Sequence, residues 1–208
     1  IRTLKQKAPK ENGIHRMYWS MNERGADRPS RKIRKRNFEP GGVSVKPGTY
    51  NLKMTFGDQT SESSIKVEYD PRLEMSTEAI AEIYNVSKDL EKDQQLMADI
   101  VKQLAESKQT ATGFKKDLDK EDKKKYKDQI KLSKDIINKI DDLIAVFIGK
   151  IDKRQGITRN PEVTVSRRYF SARRYVGSRF GDLTSTEEQL ISQFKKAFKD
   201  AVKKTNSF

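Results

Sequence analysis

The sequence predicts an α+β chain: part of an Ig-like antiparallel β-sandwich over residues 1–71, then an antiparallel three-helix bundle over residues 72–208 built on a long helical hairpin. Three observations predict it. Apolar residues alternate with polar ones between residues 50 and 69, the period of half-buried strands. Apolar residues then recur at steps of three and four across residues 80–151 and 190–202, the period of amphipathic helices. Between the two regimes stands Asp70-Pro71-Arg72, where the proline pushes Asp70 into extended backbone and closes the strand region.

The elements follow in order. Residues 13–19 (GIHRMYW) offer a strand with Ile14, Tyr18 and Trp19 as buried candidates. Pro47-Gly48 presets a turn, and residues 50–56 (YNLKMTF) place Tyr50, Leu52, Met54 and Phe56 on one side. Gly57-Asp58 is a turn signal, after which Ile65, Val67 and Tyr69 alternate again. Three or four strands make half a sandwich, and the chain opens without Met. We therefore expect a portion of a longer or processed protein, its first strands lying upstream, with Trp19, Tyr50, Leu52, Met54 and Phe56 holding the sandwich.

Ser76 or Thr77 offers an N-cap, with Glu78 and Glu82 near the positive end of the helix dipole. Ile80, Ile83, Ser87, Leu90, Gln94, Met97, Val101 and Leu104 make a stripe ending near Glu106, and residues 107–113 (SKQTATG) read as the turn. A second helix carries Tyr126, Ile130, Ser133, Ile137, Ile140, Ile144, Phe147 and Ile151; its first part, residues 115–127, is nearly all charged and is expected to project into solvent. Ser185-Thr186-Glu187-Glu188 reads as a capping box before a third helix with Leu190, Phe194, Phe198 and Val202. Residues 153–183 are expected to run back along the bundle as a long loop, pinned by Val163, Val165, Tyr169, Phe170, Tyr175 and Phe180. Ile137, Ile140, Ile144, Phe194 and Phe198 are the expected core.

Charge is the first functional signal. The chain has 44 Lys+Arg against 30 Asp+Glu, a formal +14, which by itself suggests a nucleic-acid binder. The excess is uneven. Residues 1–70 hold 15 basic and 8 acidic side chains (+7), residues 71–152 hold 16 and 17 (−1), and residues 153–208 hold 13 and 5 (+8). The middle thus reads as solvated helix face, with Lys and carboxylates interleaved as at Asp117, Lys120 and Lys124. The excess concentrates in residues 28–36 and 167–179. Candidate partner-binding residues are Arg31, Lys32, Arg34, Lys35 and Arg36 in the first segment, and Arg167, Arg168, Arg173 and Arg174 in the second. Those of the second, interleaved with Tyr169, Phe170 and Tyr175, could hold phosphates and stack bases. The favoured reading is plainer: the second segment is the polar side of a long loop whose arginines pair with acidic helix faces, and the first is an exposed loop between strands.

Other chemistry has little to work with. There is no Cys and a single His, so disulfides, thiolate metal sites and multi-His metal sites are excluded, and Ser-His-Asp catalysis would have to use His15. No GxGxxG or P-loop pattern occurs, and no carboxylate pair sits in an apolar setting of the glycosidase kind. No cofactor and no metal are expected. No apolar run approaches the roughly 18–20 residues that cross a bilayer.

A series of short motifs adds a family resemblance. Gly13 to Trp19 is followed by Gly41-Gly42-Val43, by Lys46-Pro47-Gly48-Thr49-Tyr50-Asn51-Leu52, and by Asp70-Pro71-Arg72. Gln155-Gly156-Ile157-Thr158-Arg159-Asn160-Pro161, Tyr175-Val176-Gly177-Ser178-Arg179 and Leu183-Thr184-Ser185-Thr186-Glu187 continue the order. Together they resemble the region after the β-propeller in bacterial exported proteins described as sortilin-like or Asp-box (BNR-repeat) glycosyl hydrolases. Trp19-Ser20 departs from the usual Trp-Asp or Trp-Asn pair, and residues 28–36 are more basic than the pattern. The resemblance implies a non-enzymatic structural and interaction region of a larger exported protein, extracytoplasmic, bracing an upstream propeller and contacting other cell-envelope proteins. Nucleic-acid binding through the two basic segments is the alternative, and participation in a glycan-active hydrolase a second.

Overall fold

The computed structural model describes residues 1–33, 38–73, 75–151, 162–178 and 181–208. The chain is α+β. Among the described residues, four strands form two separate antiparallel pairs, and four helices follow.

β1 (Asn22–Arg24) pairs with β2 (Gly41–Ser44). The two backbones meet at glycines for a steric reason. A Cβ on Gly42 would lie 2.7 Å from Gly25 Cα and 2.8 Å from Arg24 O, so neither backbone has room for a side chain there. β3 (Gly48–Phe56) pairs with β4 (Gln59–Val67) across Gly57-Asp58, with Gly57 at φ +57° as a tight two-residue turn requires. Tyr50 stands opposite Ile65, Leu52 opposite Ser63 and Met54 opposite Ser61.

The expected sandwich core is not assembled by these strands. Among the described elements, β3 and β4 pack only on each other. Leu52, Met54, Phe56 and Ile65 are 41%, 58%, 62% and 38% exposed. Residues 13–19 form no strand, Ile14 and Tyr18 lie in solvent, and Trp19 instead packs edge-on against Tyr50, with centroids 5.7 Å apart. Alternation specifies a face suited to burial. It does not supply the second sheet.

α1 spans Thr77–Glu121, with the Ser76 hydroxyl accepting from Ala79 N at 3.0 Å. Its 45 residues run through the turn expected at residues 107–113. That stretch has no proline, and the hydroxyls of Thr110 and Thr112 bond back to the carbonyls of Glu106 and Lys108. A single interior glycine, Gly113, costs only about 1 kcal/mol, too little to break a helix of this length. The stop comes at Asp122, whose Oδ1 accepts from Lys124 N and Lys125 N at 2.9 and 3.0 Å.

α2 (Lys127–Ile148) descends beside α1 and is joined to it by Lys108–Asp141 at 2.6 Å. α3 (Val165–Gly177) corrects the expected return loop: Thr164 caps it, accepting from Arg167 N at 3.2 Å, and Val165, Tyr169, Ala172 and Val176 recur at steps of four, three and four to face the core. Of the residues expected to pin that loop, Val163, Phe170 and Tyr175 are exposed, and Phe180 lies outside the described residues, as do residues 152–161 and the motif within them. α4 (Ser185–Asn206) starts one residue before the expected box, with Thr184 N donating to Glu187 Oε2 at 2.9 Å.

Four helices therefore stand where three were expected. Their shared core joins Leu90, Met97, Val101, Ile140, Ile144 and Phe147 to Tyr169, Val176, Phe194 and Phe198. Tyr169 and Phe194 meet edge to face, with centroids 5.5 Å apart. Ile137 is only half-buried.

Candidate functional site

Among the described residues, the two basic segments do not form one patch. Arg31 is half-buried and spent on structure, its guanidinium donating to the Gly149 carbonyl at the end of α2. Burial draws its pKa below the usual guanidinium value, and nearby Asp141 opposes that shift. Lys32 is exposed, while Arg34, Lys35 and Arg36 lie outside the described residues. On α3, Arg168 reaches sideways to Gln193 of α4 at 3.0 Å, and Arg173 turns the other way toward α1. Arg167 and Arg174 sit on the exposed face between them. A helix, by fixing 3.6 residues per turn, has distributed arginines that a loop could have gathered.

Two of the candidates, Lys32 and Arg173, do meet in an open groove of about 1490 Å³ between the β1–β2 region, α1 and α3. Its walls also carry Asp27, Glu39, Glu91 and Asp99, so its charge is mixed. These carboxylates are engaged in holding the walls. Glu39 Oε2 accepts from Thr3 N at 2.7 Å, Glu91 takes Lys88 at 2.7 Å, and Asp99 takes Gln95 Nε2 at 3.0 Å. Among the described residues no group of three His, Asp or Glu side chains could hold a metal. His15 Nε2 lies 2.8 Å from Glu11 O in an exposed stretch, with no nucleophile in its hydrogen-bonding partners.

The strand region is fastened to α1 by polar contacts. Tyr84 Oη and Lys88 Nζ donate to the two oxygens of Glu23 at 2.5 and 3.0 Å. Burial alone would raise the Glu23 pKa, but these bonds and the Lys88 charge hold it below the ordinary carboxylate value. Gln94, a polar member of the apolar stripe, is buried and donates to the carbonyls of Ala26 and Asp27, both at 3.0 Å. Lys46 Nζ lies over the Tyr84 ring at 4.3 Å, anchoring the base of the hairpin.

Beyond that base the β3–β4 ribbon stands away from the body with its apolar row uncovered. This is the surface the sequence-based expectation misplaced, since the residues given to a core are the ones left outside. The alternation at residues 50–56 identified the face correctly, and only the shortage of partner strands signalled that nothing covers it. Comparison with family models, curated proteins and solved structures returns no match for this chain. Among the described residues no helix is long and apolar enough to cross a membrane.

Proposed function

We propose that the chain is a non-catalytic interaction module of a larger exported polypeptide, and that the β3–β4 hairpin is its contact element. The observation that carries this reading is the uncovered row of Leu52, Met54, Phe56 and Ile65 on a ribbon fixed only at its base. A lone two-stranded ribbon is marginal in water, and three or more strands or a covering layer are what ordinarily stabilise one. Large exposed apolar side chains grouped on one face are the usual mark of an interaction surface. A second sheet laid on this face would complete an Ig-like sandwich. Each large side chain so covered contributes on the order of 1.5–3 kcal/mol. The propeller implied by the motif series is the partner we assign, and bracing that propeller is the role.

The test is a photo-crosslinking amino acid at Met54 in the native polypeptide, with one at Asn51 on the polar face as comparison. Crosslinks from Met54 to another folded unit, absent from Asn51, are the expected result. Equal yields from the two positions, or no crosslink from either, would sink the reading. A polysaccharide panel gives the complementary measurement: turnover abolished by replacing a carboxylate pair would mark this chain as catalytic.

A further inference from the structure

We propose that the projecting end of the α1–α2 pair is a docking surface for an anionic lipid bilayer, made by six lysines on one face of the arm. The inference is independent of the hairpin. Residues 115–134 contain nine lysines and five carboxylates, and the average hides their arrangement. On α1 and the turn after it, Lys116, Lys120 and Lys123 follow at steps of four and three. On α2, Lys127, Lys131 and Lys134 repeat the same spacing. At about 100° per residue Lys116 and Lys120 share one row on α1 and the α2 trio makes another, while Lys123 stands in the turn beyond the end of α1. Measured from the apolar stripe by which each helix faces the other, both rows are displaced in the same rotational sense. Because the helices are antiparallel, that sense puts both rows on the same side of the arm.

Asp119 attests the convergence. Its carboxyl is held below the ordinary range first by a hydrogen bond from Lys115 at 2.5 Å, and further by the charges of Lys115 on α1, Lys123 in the turn and Lys134 on α2. Asp117 and Glu121 step round to the other side of α1, Asp128 and Asp135 flank Lys131 at three and four residues, and Asp119 is taken up by Lys115, so lysines outnumber carboxylates on this face. All six lysines are exposed, and among the described residues none pairs with a carboxylate within 4 Å. The Asp122 turn brings the two rows together at the apex.

The composition favours a bilayer over a nucleic acid. No arginine occurs between Arg72 and Arg154, so the face has compact, mobile point charges and no planar forks for bidentate phosphate grip. The rows lie on the outside of two packed rods, a surface that meets a plane and does not enclose a strand. The α2 row spans about 10 Å, at 1.5 Å per residue over seven residues. Flexible ammonium groups of this kind meet headgroup phosphates without a fixed spacing, and each lysine near an anionic surface is worth about fivefold in binding.

The experiment is cosedimentation of the full chain with vesicles of phosphatidylglycerol and phosphatidylcholine against phosphatidylcholine alone, at low and high salt. Binding to the anionic vesicles only, lost at high salt, is expected. The K127Q/K131Q/K134Q variant should weaken it about a hundredfold. So should K116Q/K120Q/K123Q, which guards against a folding defect in either one; circular dichroism matching wild type checks both. The matched control K196Q/K199Q/K203Q removes three exposed lysines from α4 and should leave binding within a few-fold of wild type. Binding to neutral vesicles as strong as to anionic ones, no binding to either, or equal losses in the arm and control variants would overturn the proposal. So would tighter binding to duplex DNA than to anionic vesicles at equal phosphate.

Discussion

Tyr84 Oη donates to Glu23 Oε1 at 2.5 Å, joining a three-residue strand to the second turn of a 45-residue helix. β1 is too short to hold its place by its own ladder, so this bond and Lys88 on the other oxygen locate it. Tyr84→Phe is expected to cost about 1.5 kcal/mol, the range for a hydrogen bond to a charged group. In a chain of this length that is a fall in Tm of roughly 3–6 °C by calorimetry.

The same pair contributes to the acid limb of stability. Glu23 has a lowered pKa when folded, so its contribution is present above the unfolded carboxylate value and is lost as pH falls through the folded one. Lys88, raised when folded despite burial, through its bonds to Glu91 and Glu23, loses its contribution only as pH rises past its own folded value. Denaturant midpoints measured downward from neutral pH should drop less steeply in Tyr84→Phe than in wild type, because part of the acid-sensitive term is already gone.

Tyr169 provides the alkaline counterpart. Burial pushes its hydroxyl up to about 12, so the folded chain keeps it protonated where an unfolded chain ionises it. Stability is unaffected by this group below about pH 10 and is lost as pH rises toward 12. Ultraviolet titration should show a late tyrosine ionisation that accompanies unfolding, and Tyr169→Phe should reduce its amplitude by one tyrosine.

Gly113→Ala separates a continuous helix from a turn. No heavy atom beyond its neighbours lies within 4 Å of a Cβ placed there, and the position is interior to α1. The substitution should stabilise the chain by about 1 kcal/mol. Destabilisation of similar size in a thermal melt would mean that the backbone turns at residues 107–113.

Core and hairpin should respond oppositely to truncation. Phe194→Ala, fully buried against Tyr169 and Phe198, should cost about 3–5 kcal/mol. Phe56→Ala, on the uncovered ribbon, should change the melting of the isolated chain by less than about 0.5 kcal/mol. Gly42→Ala belongs with the core despite its location, since its Cβ would meet backbone at 2.7–2.8 Å that cannot yield.

Much of this fold was legible in the sequence where local pattern and tertiary outcome agree. The Ser76 cap, the Gly57-Asp58 turn, the α2 stripe and the Phe194–Phe198 face depend on chemistry a few residues wide. α3 was legible too, in the spacing of Val165, Tyr169, Ala172 and Val176, although Gly156, Pro161, Gly177 and Gly181 punctuate the segment around it. The exposure of Leu52 and Met54 was not legible, because it follows from the lack of a covering layer among the strands described here. The fate of the arginines was likewise hidden. Reaching Gly149 from Arg31, or Gln193 from Arg168, requires knowing which helices lie alongside.

The uninterrupted run of α1 has a consequence for how the two exposed surfaces address their surroundings. A single helix joins the region beside the hairpin's base to the lysine-bearing end, so their separation and their relative heading are set by one count of residues. Forty-five residues make a rod of roughly 68 Å, and each residue also turns it by about 100°. Removing one residue near its middle would shorten the rod by only about 1.5 Å, yet would swing the lysines more than a quarter turn away from their former bearing. Removing seven would shorten it by about 10 Å and nearly restore that bearing. Azimuth, more than reach, is what this helix transmits.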